Sequence, residues 1–266
     1  MPDLLKKYRS MRDFGDTPEP SGGKPKKTKL PIFVIQKHAA TRLHYDFRLE
    51  MEGVLKSWAV PKGPSYDPTV KRLAMMTEDH PYDYAAFEGV IPAGNYGGGN
   101  VIIWDNGTWE LVEPEDPVEG IKSGKLAFRM YGKKMFGEWA LVKIKGRPGS
   151  KGNEWLLLKH RDAFANVDID VTELAPRSII SNLTVEEIGA SKRTWQSNRP
   201  ASGKHAPTLA SKLEAEKSAK KKTTKRAAAR PSRSAPAPKK AASARSRSSR
   251  AGSPRAAAPT RRRPPR

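Results

Sequence analysis

The sequence contains no cysteine. That excludes a disulfide framework, a thiolate metal site and a cysteine nucleophile, and it fits a reducing compartment. Long apolar runs are also missing: no stretch reaches the roughly 18 consecutive apolar residues of a membrane-spanning helix. The opening "MPDLLKKYRSMRDFG" is charged and lacks the apolar core of about 7–15 residues that marks a secretory signal. A soluble, cytoplasmic protein is expected. Acidic residues are few, with 28 Asp and Glu against 50 Lys and Arg, a formal net charge of +22. The imbalance is local. Residues 199–266 hold 21 Lys and Arg but only Glu214 and Glu216 as acids, so they carry +19 and the first 198 residues only +3. A near-neutral body with a basic arm implies a folded unit and a segment attracted to polyanions. At 36% hydrophobic residues, part of the chain has no core of its own.

What is present divides the chain into three. Residues 1–30, ending in "GDTPEPSGGKPKKTKL", read as a mobile lead-in rich in Gly, Pro and Lys. Residues 31–190 carry short, evenly spaced β segments, among them "PIFVIQKH", "RLHYDFRLEM", "VLKSWAV", "KLAFRMYG" and "EWLLLKH". Within "WDNGTWEL", Asn106-Gly107 predicts a tight hairpin between two strands. No long 3.6-residue apolar period interrupts this region up to Arg161, which predicts an all-β domain of eight or nine short antiparallel strands, a small antiparallel barrel or a sandwich, with minor helices. "LTVEEIGA" has the look of a capping box opening a short helix. Residues 191–266, rich in Lys, Arg, Ala and Pro, predict a disordered tail. Such a tail is either a solubilising appendage or an arm that binds nucleic-acid phosphates without reading sequence.

The densest chemistry lies in "KHAATRLHYDFRLE". Side chains alternate faces along a strand, so His44, Asp46 and Arg48 share one face and Leu43, Tyr45, Phe47 and Leu49 the other. Imidazole and carboxylate suit manganese, zinc or iron, and a guanidinium one pleat further can fork onto phosphate oxygens. His38 ends the preceding strand and can return across "AATR" as a third ligand. A plain solvent-facing strand remains the competing explanation for this row. A second polar cluster, "TEDHPYDYAAFEGVIPAGNYGGG", holds Glu78, His80 and Tyr84 before a Gly-rich loop without the P-loop lysine. "WAVPKGPS" presents Lys62 between two prolines, and Arg72 opens the next strand.

Together, "FVIQKHAATRLHYDFRLEMEGVLKSWAVPKGPS", "EDHPYDYAAFEGVIPAGNYGGG" and "EWLLLKHRD" resemble the 3′-phosphoesterase domain of bacterial DNA ligase D. The likeness covers roughly residues 8–190. It implies a small β-barrel whose metal-dependent activity, best with manganese, trims a 3′-terminal ribonucleotide and removes a 3′-phosphate to leave a 3′-OH. It implies that His38, His44 and Asp46 bind the metal, that Arg48 and His80 hold the phosphate, and that Tyr84 lines the site as part of the catalytic set. Gln36, Lys62, Arg72 and Glu78 match supporting substrate-binding positions. The sequence lacks an adenylyltransferase lysine motif, so the resemblance implies a free-standing, monomeric end-healing enzyme of the bacterial nucleoid. A separate ligase and the Ku end-binding protein would act beside it in non-homologous end joining. A non-catalytic DNA-binding or scaffolding protein is the alternative, and a metal site acting on RNA or a small phosphate ester a third.

Overall fold

The computed structural model describes residues 3–22, 30–146 and 149–191. Apart from Ser191, the tail expected to be disordered lies outside them. Among the described residues ten strands form in chain order: β1 (Ile32–Ala39), β2 (Leu43–Met51), β3 (Val54–Val60), β4 (Lys71–Met76), β5 (His80–Pro81), β6 (Gly89–Ile91), β7 (Gly99–Glu113), β8 (Lys125–Gly132), β9 (Phe136–Lys143) and β10 (Glu154–Lys159). Helices are short: α1 (Lys6–Ser10), α2 (Pro117–Ser123), α3 (Val171–Leu174) and α4 (Val185–Ala190), with a 3-10 turn at Tyr82–Ala86. Among the described residues no helix is long and apolar enough to cross a membrane.

Eight antiparallel strands pair in the order β1-β2-β3-β4-β10-β9-β8-β7, and β7 pairs back onto β1, closing the barrel expected from the sequence. β5 adds to β3 and β6 to β7. Period-two alternation fills the interior from every wall: Phe33, Ile35, Tyr45, Phe47, Leu49, Trp58, Phe128, Trp139 and Trp155 form one cluster. Its rings meet in the offset and edge-on arrangements that aromatic quadrupoles favour, as between Phe47 and Phe128 (5.7 Å) and Trp58 and Trp155 (5.9 Å).

The outer face of β1, β2 and β3 is not left to solvent. A second apolar cluster covers it, joining Val34, Leu55, Val101 and Ile103 of the barrel to Leu5 and Tyr8 of the N-terminal segment and to Tyr84, Phe87 and Ile91. Strand β2 is therefore buried on both faces over Tyr45–Leu49. This corrects the expectation of a mobile lead-in over 1–30: residues 3–22 include a helix, and Tyr8 is completely buried, its hydroxyl donating to the Pro20 carbonyl at 2.7 Å. The Gly, Pro and Lys content that suggested mobility lies mostly after residue 14; Leu5, Tyr8 and Phe14 before it supply the apolar surface that docks.

The hairpin expected at Asn106-Gly107 is also absent. β7 runs unbroken through both residues, with β1 on one side and β8 on the other. Gly107 lies opposite Gly132, and a Cβ on it would meet the Tyr131 carbonyl oxygen at 2.0 Å. The glycine serves a close backbone approach between barrel strands rather than a positive-φ turn. The capping box before α4 does form, with Thr184 and Glu187 satisfying each other's backbone N–H groups.

Candidate active site

Residues directly opposite in an antiparallel pair project from the same face. In the β1–β2–β3 register His38 faces His44, Gln36 faces Asp46, and Val34 faces Arg48; Asp46 and Arg48 in turn face Ala59 and Ser57. One polar patch thus spans three strands on the outer wall of the barrel, beneath the N-terminal segment and the β5–β6 region. The polar face of a strand would ordinarily meet water. Here it is roofed, so its charges must be paired or hold an ion.

His38, His44 and Asp46 each offer a ligand atom, all within 4.8 Å of one another. His38 Nδ1 lies 3.4 Å from Asp46 Oδ2, and His44 Nε2 lies 3.6 Å from Asp46 Oδ1. Two ligands bound at about 2.1 Å to one ion are separated by roughly 3.0–3.5 Å, so little movement would bring these onto a common cation. The far nitrogens fix the tautomers. His38 Nε2 contacts the Gly97 carbonyl at 2.9 Å and His44 Nδ1 the Arg42 carbonyl at 2.8 Å. A carbonyl only accepts, so both far nitrogens carry the proton. In the neutral rings each nitrogen facing Asp46 then bears a lone pair, the orientation that metal-ligating histidines require. Imidazole and carboxylate donors fit a divalent transition ion, and three protein ligands leave coordination positions open.

Arg48 is 2% exposed. Its Nε donates to Gln36 Oε1 (2.8 Å), Nη1 to Ser57 Oγ (2.8 Å), and Nη2 contacts Asp46 Oδ2 (3.1 Å). Gln36 is itself fixed by donating to the Tyr84 and Phe87 carbonyls. Three of the five guanidinium N–H groups are thereby engaged, leaving two for an anion. Burial opposes ionisation of Asp46, yet its carboxyl is held far below the usual range, with the Arg48 guanidinium as the foremost cause.

His80 is buried on the other side of Ser57. Its Nδ1 contacts the Glu78 carbonyl at 2.9 Å and Ser57 Oγ at 3.2 Å, while its Nε2 is 3.2 Å from Arg12 Nη2. Arginine only donates, so Nε2 accepts. Burial, reinforced by Arg48 and Arg12, pushes His80 well below its ordinary value and keeps the ring neutral. Tyr84 stacks edge-on against it at 4.8 Å and donates to Glu19 Oε1 at 2.9 Å. Burial, then Glu19, raise the Tyr84 phenol well above its usual value, so it remains a donor.

These groups line one cleft of about 300 Å³. The structure brings together His38, His44, Asp46, Arg48, Glu78, His80 and Tyr84 there, with Gln36 supporting from behind. Lys62 and Arg72 do not line it: Lys62 is exposed after β3, and Arg72 is half-buried in β4 opposite Leu157. Sequence reading missed Arg12, Glu19, Ser57 and Tyr96. Arg12 is ion-paired to Glu19 (2.9 Å) and Glu78 (3.2 Å), bonded to the Tyr8 carbonyl, and packed over the Tyr8 ring. The signal for Arg12 was the apolar spacing Leu5, Tyr8, Phe14 around it. For Ser57 it was the register, which only pairing reveals.

Residues 36–143 match the family model of the DNA Ligase D 3′-phosphoesterase domain. The chain is similar to the multifunctional non-homologous end joining protein LigD of Pseudomonas aeruginosa, 51% identical over 185 residues, covering 68% of this chain and 22% of the relative. It is 41% identical over 195 residues to the corresponding protein of Mycobacterium tuberculosis, covering 73% of this chain and 24% of the relative. With that of Mycolicibacterium smegmatis it shares 44% over 165 residues, 60% of this chain and 21% of the relative. The chain thus spans less than a quarter of the length of the relatives it matches.

Proposed function

The chain belongs to the DNA ligase D 3′-phosphoesterase family, and from that premise we propose that it is a manganese-dependent phosphoesterase that heals nucleic-acid 3′ ends. Its substrates are a primer-template ending in a 3′-phosphate or a 3′-terminal ribonucleotide, and its product is a 3′-OH for the joining of double-strand breaks. The observation that carries the reading is the clustering of His38, His44 and Asp46, their ligand atoms within 4.8 Å of one another, beside the buried Arg48.

Charge decides how the site takes an anion. Around the cleft stand two guanidiniums, Arg12 and Arg48, and three carboxylates, Glu19, Asp46 and Glu78. One negative charge is in excess, which repels a phosphate. A divalent ion reverses the sign and supplies Lewis-acid stabilisation of phosphoryl oxygens and a more acidic water. Arg48 then grips the ester through its two remaining N–H groups, preorganised by Gln36 and Ser57. Arg12, fully occupied by Glu19, Glu78, the Tyr8 carbonyl and His80, positions His80 rather than gripping substrate. With its Nε2 accepting from Arg12, His80 is set as an orienting group for the phosphate pocket and becomes a donor only if that contact opens. Work at DNA ends in the bacterial cytoplasm, beside a separate ligase and the Ku end-binding protein, completes the proposal.

The test is phosphate release from a 3′-phosphate primer-template in the presence of manganese. Wild type should release phosphate and His44→Ala should not. No release by wild type, or equal release by both, overturns the assignment.

A further inference from the structure

A 3′-phosphate carries a nucleoside, and the groups around the metal position are committed to the phosphoryl end. The base must lie further out. Tyr96, Tyr131 and Phe164 are the large aromatic side chains exposed among the described residues. Two do not line the cleft: Tyr131 donates to Glu110 Oε2 at 2.7 Å, and Phe164 packs edge-on to Phe136 at 5.1 Å. Tyr96 is 46% exposed and lines the cleft, whereas Tyr84, the other tyrosine that lines it, is buried. Its ring is backed by Arg12, 5.3 Å from the centroid, and its hydroxyl lies 3.5 Å from Glu78 Oε2.

The loop that carries Tyr96 is held at two points. The Gly97 carbonyl accepts from the candidate metal ligand His38, and Asn95 donates to Asp16 Oδ2 at 3.0 Å. Gly97 takes a positive φ of 74°, and Gly99 one of 148°, where a Cβ would meet the Ala39 carbonyl oxygen at 2.2 Å. The exposed ring is therefore set at a fixed place relative to the ligand His38, not on a free loop. An aromatic plane backed by a cation at the edge of a phosphate site is the arrangement that stacks on a nucleobase, and every base has a π-face to offer.

Resting on the phosphoesterase reading, we infer that Tyr96 stacks on the base of the 3′-terminal nucleoside. It would make the site prefer nucleoside-bearing esters over bare sugar phosphates, without regard to which base is present. The test compares kcat/KM of the full, manganese-loaded chain on 3′-phosphate primer-templates whose terminal nucleoside is intact or abasic. Wild type should favour the intact end by roughly tenfold. That ratio should fall towards one in Tyr96→Ala and in Tyr96→Leu, which keeps bulk without a π-face, and should persist in Tyr96→Phe. A wild-type ratio near one, or a ratio unchanged in Tyr96→Leu, overturns the inference while leaving the phosphoesterase reading intact. Failure of wild type to turn over either end sinks both.

Discussion

Two tautomers govern the chemistry of the cleft. The Gly97 and Arg42 carbonyls hold the outer N–H of His38 and His44, so the inner nitrogens face Asp46 as lone-pair donors. Asp46 is the common partner of both rings and of Arg48. Asp46→Asn keeps the shape, removes the charge and turns one ligand oxygen into a donor. Manganese affinity, measured by calorimetric titration, should fall by at least tenfold to a hundredfold, the scale seen even when groups supporting metal ligands are changed. Retained affinity would show that the ion is held elsewhere. His80 makes a separate prediction about pH. Its folded value is depressed, so near pH 6.5 the unfolded chain takes up a proton that the folded chain refuses. The contribution of this group is present above that pH and lost as pH falls below it, by up to about 1.4 kcal/mol per pH unit. Urea midpoints from pH 7.5 down to 5.5 should decline more steeply for wild type than for His80→Gln; parallel curves would refute the buried neutral ring.

At the scale of elements, the site exists because a segment outside the barrel roofs one of its walls. Tyr8 of α1 is wholly buried, 5.1 Å from the His80 ring, and carries the Arg12 guanidinium 3.9 Å above its own ring. Tyr8→Ala opens a cavity beneath both groups. A loss of about 3–5 kcal/mol in urea denaturation is expected, together with lower phosphatase turnover as Arg12 and His80 lose their seat. A change below 1 kcal/mol would mean that the segment is only lightly docked. Alternation alone made the barrel and the His44, Asp46, Arg48 row readable, because period two is a local property of β2. The return of His38 was readable from the short "AATR" connection. Long-range pairing was not. Asn106-Gly107 reads as a turn to anyone who cannot see β1 and β8 flanking it. Ser57 becomes a partner of Arg48 only through the β2–β3 register, and Arg12 reaches the cleft only because Leu5 and Tyr8 find the outer faces of Val34 and Leu55.

For the whole molecule, charge is divided unevenly along the sequence. The first 198 residues carry +3 and residues 199–266 carry +19. The last described helix, α4, packs through Val185 and Ile188 against Ile102 and Ala39, and Ala39 follows the candidate ligand His38 in the chain. On the proposed reading a phosphate at the cleft is held by the metal and Arg48, whereas a long polyanion gains from every cation that displaces a counterion, by about 0.9 in the log–log salt slope per phosphate contact on duplex DNA. A chain ending at residue 191 keeps all three apolar clusters, whose outermost members are Leu4 and Ile188. It should match the full chain in kcat on saturating 3′-phosphate ends, require a higher DNA concentration to saturate, and show a salt slope shallower by several units. The two effects separate because affinity for the DNA backbone and stabilisation of the reacting phosphate are built from different residues. If shortening the chain instead lowered kcat at saturation with the salt slope unchanged, the basic residues would have to act at the cleft itself, and the division between arm and site would be wrong.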